Sequence, residues 1–237
     1  MARIGHGYGS EWQLLRFLGH HRELLESEIT KQLKLSNGSH FKWLDFGFGD
    51  RTKSISGDEE IKGLNFLKNI TSMPISFDEY PSGWGKKYPS WDAIVIINDI
   101  VYLVEAKAHI DEISGNKNNG GESQEQIFSF MSEQLKAFGC TTIIKKEKWL
   151  GKYFQMANRL AVAAYLNNKG IPTKVLYIYF ENGYYKRGLN GEKPIIKDAN
   201  RKQFENEIKK EKDELGIAND KKIDELLCEV FINANPK

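Results

Sequence analysis

Cysteine is scarce in this 237-residue sequence, and no apolar run is long. The two cysteines, Cys140 and Cys228, provide neither a disulfide framework nor the spacing of a metal site, which is typical of a reducing compartment. The longest apolar run in a helical segment, LAVAAYL (160–166), is far too short to span a bilayer. The first residues, MARIGHGYGS, contain no apolar stretch typical of a secretory signal. We therefore expect a cytoplasmic protein with no membrane partner.

An excess of charge of one sign is also missing. Lysine and arginine total 34 and aspartate and glutamate total 32, so the formal net charge is +2. Overall charge therefore does not indicate nucleic-acid binding, although a local basic groove is compatible with it. The content of 40% hydrophobic and 28% charged residues is that of an ordinary globular protein. The length fits one large α/β domain or a core with additions, and we expect a single domain covering residues 1–237.

Periodicity predicts alternating helices and strands along this domain. An S-x-x-Q capping box at Ser10 predicts the start of one long helix over residues 10–33, with an apolar stripe of Leu15, Leu18, Leu25, Ile29 and Leu33. Further helices are predicted over 124–138, 152–169 and 223–231, the last within a C-terminal helical extension of about 198–235. Strands are predicted over 41–48, 74–80, 92–97, 100–107 and 174–180.

The segment WDAIVIINDIVYLVEAKAH (91–109) contains ionisable residues at the ends of two apolar strands. If Asn98 and Asp99 form a two-residue turn, paired positions have numbers that sum to 197, and Asp92 lies opposite Glu105. Residues opposed in this way have Cβ atoms about 4.5–5.5 Å apart on the same face. Strand periodicity places Lys107 on the face of Glu105 as well.

Two opposed carboxylates repel each other unless a cation lies between them. A hard divalent cation would remove this repulsion, and Mg²⁺ is commonly held by one or two carboxylates and by water. Beside such an ion, the ammonium of Lys107 could polarise water or contact a phosphate oxygen. This combination is suited to hydrolysis of a phosphodiester, with Mn²⁺ as a substitute metal.

The spacing of Asp92, twelve residues and Glu105-Ala106-Lys107 resembles the PD-(D/E)XK nuclease superfamily. The resemblance covers about residues 91–180, although Trp91 rather than proline precedes Asp92. It implies a restriction-endonuclease-like α/β fold, with a mixed central β-sheet flanked by helices and helical insertions at about 111–150 and after 185. It also implies catalytic roles for Asp92, Glu105 and Lys107, with the two acids as metal ligands. The segments VEAKAH, YFQMANRLA and VLYIYF are also similar to bacterial proteins.

Two residues of the following helix are further candidates, because Gln155 and Arg159 share one side of it. Gln155 resembles a helix glutamine that shapes the active site of RecB-type exonucleases, so we predict a catalytic role for it. The alternative is that Gln155 caps backbone groups near the helix start. Arg159 is a candidate for contacting a substrate phosphate, and the alternative is a surface salt bridge.

The remaining candidates come from three other segments. Glu11 is a candidate third metal ligand, because many superfamily members have a glutamate on the first helix; the helix dipole alone also favours an acid there. His109 is a candidate for contacting substrate or metal, or for making a single hydrogen bond at a strand end. Lys86 and Lys87 lie among aromatic residues that could stack on bases or pack against the core.

The predicted function is that of a metal-dependent nuclease in restriction, defence or repair, and its expected substrate is DNA. Three alternatives stay open. The chain could be an RNA nuclease, or a catalytically silent nucleic-acid-binding or protein-interaction module with the same fold. The hairpin could also have only a charged end, where Asp92 and Lys107 form a solvated pair. A homodimer is compatible with each of these functions.

Overall fold

The computed structural model describes residues 9–44, 61–69, 89–114, 124–183, 185–187 and 195–236. The α-helices in these ranges are α1 (Ser10–His20), α2 (Arg22–Gln32), α3 (Gln124–Phe138), α4 (Lys146–Trp149), α5 (Phe154–Asn168), α6 (Arg201–Leu215) and α7 (Lys221–Leu226). The strands are β1 (Phe41–Trp43), β2 (Ile61–Lys62), β3 (Ser90–Trp91), β4 (Ala93–Ile97), β5 (Ile100–Lys107), β6 (Thr173–Glu181), β7 (Tyr185–Arg187), β8 (Ile195–Lys197) and β9 (Leu227–Asn233). None of the helices in these ranges has the length and apolar character needed to cross a membrane.

A mixed five-stranded sheet in the order β1-β4-β5-β6-β9 forms the centre of the fold. Strands β1, β4 and β5 are antiparallel neighbours, whereas β5, β6 and β9 are parallel. Antiparallel pairs can be joined by tight turns, and parallel pairs need a longer crossover, which here contains α3, α4 and α5 between β5 and β6. The predicted α/β class, with a mixed sheet flanked by helices, is therefore confirmed.

The β4–β5 hairpin has the predicted register from Ala93 to Val104, but the predicted Asp92–Glu105 pair is not part of the ladder, because the Asp92 N–H donates to Val104. Ile97 pairs with Ile100 and Ala93 pairs with Val104, so the position numbers sum to 197. Asn98 and Asp99 both have positive φ angles, 48° and 67°. Two such residues form a turn whose twist matches that of the strands, and asparagine and aspartate tolerate this conformation.

The two faces of the sheet bury different helices. Leu103 of β5 and Ile94 of β4 belong to a core with α3, α5 and α6, and we call this side the α5 face. Val104 and Ala93 belong to a core with α1 and α2, on the opposite α1 face. Because side chains alternate along a strand, Glu105 follows Leu103 onto the α5 face.

The predicted N-terminal helix is wrong in two respects. It is divided into α1 and α2 at His21, whose φ and ψ angles of −133° and 33° are not helical. Glycine and histidine are weak helix formers, and the break lies within the sequence Gly19-His20-His21. The predicted capping box is also wrong, because Gly9 occupies the N-cap position without a side-chain hydrogen bond. The buried positions of α1 are Gln13, Leu14, Phe17 and Leu18, and Leu15 is only half-buried.

The predicted helix over 223–231 is wrong as well. Helix α7 ends at Leu226, and β9 begins at the next residue and pairs in parallel with β6. Short apolar runs fit helical and strand periodicity alike, and here Val230 and Ile232 alternate onto the α1 face. The predicted C-terminal helical extension is therefore helical over α6 and α7, whereas its last part is an outer strand of the central sheet.

The other predicted elements agree with the structure where it describes them. Helix α3 has the predicted bounds, α5 begins two residues later than predicted, and β6 extends the predicted strand by one residue at each end. The predicted strand over 41–48 is present as β1, and its second half lies outside the described residues. The predicted strand over 74–80, together with Lys86 and Lys87, also lies outside them.

Candidate active site

Asp92 lies at the point where the chain enters the β4–β5 hairpin. Its backbone N–H donates to the Val104 carbonyl over 3.2 Å, and its carboxylate Oδ2 accepts the Ala106 N–H over 2.7 Å. Beyond the Ala93–Val104 pair, the Asp92 carboxylate therefore replaces a backbone carbonyl as the acceptor of the next ladder hydrogen bond. This contact holds the carboxylate of Asp92 against the backbone of the residue between Glu105 and Lys107.

Glu105 is the most contacted acid of the site, and only 2% of it is exposed. Its Oε1 accepts from Lys107 Nζ at 2.7 Å and from Gln155 Nε2 at 2.6 Å. Its Oε2 lies 3.1 Å from both Nε and Nη2 of Arg159. Burial by itself would raise the pKa of Glu105, but Lys107 and Arg159 outweigh it and hold the pKa below its usual range.

Lys107 is buried between Glu105 and helix α5, with 5% of its surface exposed. Besides Glu105, its ammonium contacts Gln155 Oε1 at 2.8 Å. Burial would lower the pKa of Lys107, but Glu105 and then Asp92 reverse the effect and raise it. Lys107 is therefore charged at neutral pH, and the alternative of a solvated Asp92–Lys107 pair is wrong because the ammonium is buried.

Gln155 is positioned by the first turn of α5 and uses both ends of its amide. The carbonyl accepts from Lys107, and the nitrogen donates to Glu105. A glutamine suits this position because it offers a donor and an acceptor to two partners of opposite charge. The structure thus brings Gln155 to the two strand residues named from the sequence, instead of leaving it to cap the helix start.

Arg159, one turn further along α5, is 7% exposed and is fixed on three sides. It contacts Glu105, donates to the Ser90 carbonyl at 2.6 Å, and lies 4.8 Å from the centroid of the Trp91 ring. Burial would lower the pKa of Arg159, but Glu105 raises it. The alternative of a surface salt bridge is wrong, and contact with a phosphate would require this buried pair to open.

Glu11 and His109 occupy different surroundings. Glu11 is half-buried in the first turn of α1, on the face of the sheet opposite α5. His109 is buried and caps the short 3-10 helix Ile110–Glu112, because its Nδ1 accepts the Asp111 N–H at 3.1 Å. This is the strand-end hydrogen bond considered as the alternative for His109. The roles of Glu11 and His109 toward a metal or substrate stay predictions.

One supporting residue was missed from the sequence. Glu112 Oε2 accepts the backbone N–H groups of Ala108 and His109, and its Oε1 accepts that of Ser10 at 3.3 Å. The carboxylate thereby joins the end of β5 to the start of α1. The pattern H-x-x-E directly after a strand is the available signal, because it forms a capping box.

The described part of the chain offers a metal ion a small set of ligands. It contains no group of three or more histidine, cysteine, aspartate or glutamate residues that could hold an ion. Asp92 and Glu105 each carry carboxylate oxygens, the kind of ligand that Mg²⁺ takes together with water. Because Glu105 already accepts four N–H contacts, an ion could bind it only by displacing at least one of them.

Comparison of the chain with protein-family models, curated proteins and solved structures found no match. The functional argument therefore depends on the chemistry of Asp92, Glu105, Lys107, Gln155 and Arg159. These five residues form a charge-balanced network on the α5 face, in which Glu105, Lys107 and Arg159 are buried and Asp92 and Gln155 are half-buried.

Proposed function

We propose that this protein is a metal-dependent nuclease of the restriction-endonuclease-like kind that hydrolyses phosphodiester bonds, with DNA as its substrate. One observation carries the proposal. The Lys107 ammonium lies between Glu105 Oε1 and Gln155 Oε1, at 2.7 and 2.8 Å, beside a second carboxylate that is held on Ala106. A buried lysine with two neighbouring acids at a strand end is costly to maintain and is typical of functional sites.

Each residue has a defined part in this proposal. Bound Mg²⁺ would offset charge on the phosphate and activate the attacking water. Asp92 and Glu105 would hold the ion, and Lys107 would donate hydrogen bonds to the phosphate oxygens. Its raised pKa suits Lys107 as a charged donor and not as a general base. Gln155 would position the ammonium while keeping one donor on Glu105.

A second function is favoured by a different observation. Glu105 is saturated by donors from Lys107, Gln155 and Arg159, so its charge is balanced without any metal. A silent nucleic-acid-binding or protein-interaction module with the same fold would need no further ligand at this position. The two functions differ in whether Mg²⁺ can displace one of these contacts.

Cleavage assays can separate the candidates. We would incubate the purified protein with labelled linear duplex DNA, single-stranded DNA and single-stranded RNA, each with Mg²⁺, Mn²⁺ or EDTA. The expected result is metal-dependent cleavage of DNA by the wild type, and a loss of at least about 100-fold in Lys107→Met, as for removal of one stabilising group from a reaction centre. Cleavage of RNA alone would support the RNA nuclease.

The matched control is Lys209→Met. Lys209 is exposed on α6, and its substitution removes the same positive charge. Cleavage that falls equally in both variants would indicate loss of a general electrostatic contribution, not of a catalytic lysine. Binding of DNA without cleavage under any metal condition would contradict the nuclease and support the silent module.

A further inference from the structure

Three oxygen atoms without partners lie on the α5 face beside the candidate active site. Among the described residues, no hydrogen-bond partner exists for the Tyr179 hydroxyl, Glu211 Oε2 or Glu229 Oε1, although all three atoms are buried. Tyr179 interacts electrostatically with both glutamates, and Glu211 with Glu229, so the three groups are neighbours. Buried polar groups normally have partners, and a cluster of exceptions requires a physical explanation.

The strand register explains why this cluster adjoins the site. Glu105, Tyr177 and Glu229 occupy one row across β5, β6 and β9, and Lys107 and Tyr179 occupy the next. Helix α6 covers these rows from the α5 face and inserts Glu211, which is 2% exposed. Glu211 therefore lies over the strands that carry Glu105 and Lys107.

Charge pairing leaves Glu211 as the exception among these acids. Glu105 is paired with Lys107 and Arg159, and Glu229 Oε2 accepts from Lys212 at 2.6 Å. No salt bridge to Glu211 is formed within the described residues. The titratable groups that face Glu211 are Lys107 of β5, Tyr177 and Tyr179 of β6, Glu229 of β9, and Glu207 and Lys212 of α6 itself.

We propose that Glu211, Glu229 and Tyr179 form a proton-binding site, in which Glu211 carries a proton in the folded protein at neutral pH. A neutral carboxyl group has one O–H donor, and the Tyr179 hydroxyl supplies a second. These two donors match the two carboxylate oxygens that lack partners, directly or through one water. A proton needs no cavity, which suits a cluster in which Tyr179 is fully buried.

The electrostatic surroundings agree with this assignment. Burial raises the pKa of Glu211 to about 8; Lys107 opposes the shift, and Glu229 adds to it. The proton therefore leaves to solvent as the pH rises past this value, and the sheet face beside Lys107 gains one negative charge. This inference concerns the fold itself and does not depend on the nuclease proposal.

Unfolding experiments as a function of pH test the proton directly. Between pH 4.5 and 8 the unfolded chain releases a proton that the folded protein keeps, so the stability contributed by Glu211 falls as the pH rises. The unfolding equilibrium constant of the wild type should rise relative to that of Glu211→Gln by up to about tenfold per pH unit in this window. Above pH 8 the ratio should become constant.

The control variant is Glu205→Gln, which removes an exposed carboxylate from the same helix and should change the ratio little. Infrared spectroscopy gives an independent measurement. The wild type should show a carboxylic-acid band at pH 6 that is absent at pH 9 and absent at pH 6 in Glu211→Gln. Glu211→Met is the replacement variant if Glu211→Gln does not fold.

Two results would overturn the proposal. The first is a constant ratio of unfolding constants from pH 5 to 8. The second is an infrared result: either the wild type shows no carboxylic-acid band at pH 6, or the band persists in Glu211→Gln and Glu211→Met. Persistence of the band would show that the proton resides on another group.

Discussion

Glu105 and Glu211 are two buried glutamates on the same face of one sheet, yet their surroundings differ in a decisive way. Both are 2% exposed. Glu105 accepts from Lys107, Gln155 and Arg159, and its pKa is lowered. Glu211 forms no salt bridge within the described residues, and its pKa is raised to about 8.

The difference shows that burial alone does not determine the charge of an acid. Burial disfavours the charged form of both carboxyls, and two nearby cations reverse this for Glu105 only. The same substitution, glutamate to glutamine, should therefore have opposite effects at the two positions. This contrast can be tested without any knowledge of the substrate.

The largest effect is expected for Glu105→Gln. The variant leaves the buried cations Lys107 and Arg159 without a counter-charge, and breaking a buried pair from one side costs about 3–5 kcal/mol. The free energy of unfolding at pH 7, measured in urea, should fall by this amount. At pH 8 Glu211→Gln should instead be at least as stable as the wild type.

A double variant sharpens this prediction. Arg159→Met should also destabilise the protein, but combined with Glu105→Gln it should cost less than the sum, because the two side chains interact directly. Additive costs would show that the Glu105–Arg159 pair contributes no coupling energy, and the contrast with Glu211 would lose its cause.

The second prediction concerns acid pH. Because the pKa of Glu105 is lower in the folded protein, the unfolded chain takes up its proton first as the pH falls. The stability from Glu105 is present above its ordinary pKa and is lost as the pH drops through the folded value. Unfolding curves from pH 7 to 3 should show the gap between wild type and Glu105→Gln narrowing below about pH 4.5. A gap that widened there would contradict the ion-pair network.

The hairpin of this site could be predicted because local rules determine it. The Asn98-Asp99 turn sets the register, and the register sets which side chains share a face. Gln155 could be named because helical spacing places it on an inward side with Arg159. The structure adds that the negative charge of Glu105 is compensated, because Lys107 and Arg159 form ion pairs with it.

Features that depend on long-range packing could not be predicted in the same way. Strand β9 follows a helix without a break, and its identity comes from pairing with β6, some 50 residues earlier in the chain. Glu211 lies in a charged helix, and helical spacing places it on the inward face with Phe204, Ile208 and Leu215, but that spacing does not show that the face packs against β6. The ion pair of Arg159 depends on the meeting of α5 with β5, which sequence spacing alone does not specify.

A smaller effect is expected for Gln155→Leu. The change removes one acceptor from Lys107 and one donor from Glu105 while keeping the side-chain volume similar. Leaving polar groups without partners costs about 1–3 kcal/mol, and the half-buried position favours the lower end. Urea unfolding should show this loss of stability. Gln203→Leu is not a suitable control, because Gln203 belongs to the capping box of α6 and its replacement would also weaken that cap. Gln126→Leu, on the exposed side of α3, is the better comparison.

The smallest effect on stability is expected for Asp92→Asn, and it gives the sharpest test of function. The asparagine carbonyl can still accept the Ala106 N–H, so the hairpin contact persists and the loss should stay below about 1 kcal/mol. The negative charge is removed, however, and with it one proposed ligand of Mg²⁺.

Melting curves with and without Mg²⁺ measure this difference. An ion that binds only the folded protein raises the Tm of the wild type as its concentration increases. Asp92→Asn should lose this rise together with DNA cleavage, while Asp224→Asn, which changes an exposed aspartate of α7, should keep both. If the wild type shows no response to Mg²⁺, then Glu105 is neutralised by Lys107 and Arg159 alone. The network would in that case be structural, and the two buried glutamates would differ only in how the fold balances them.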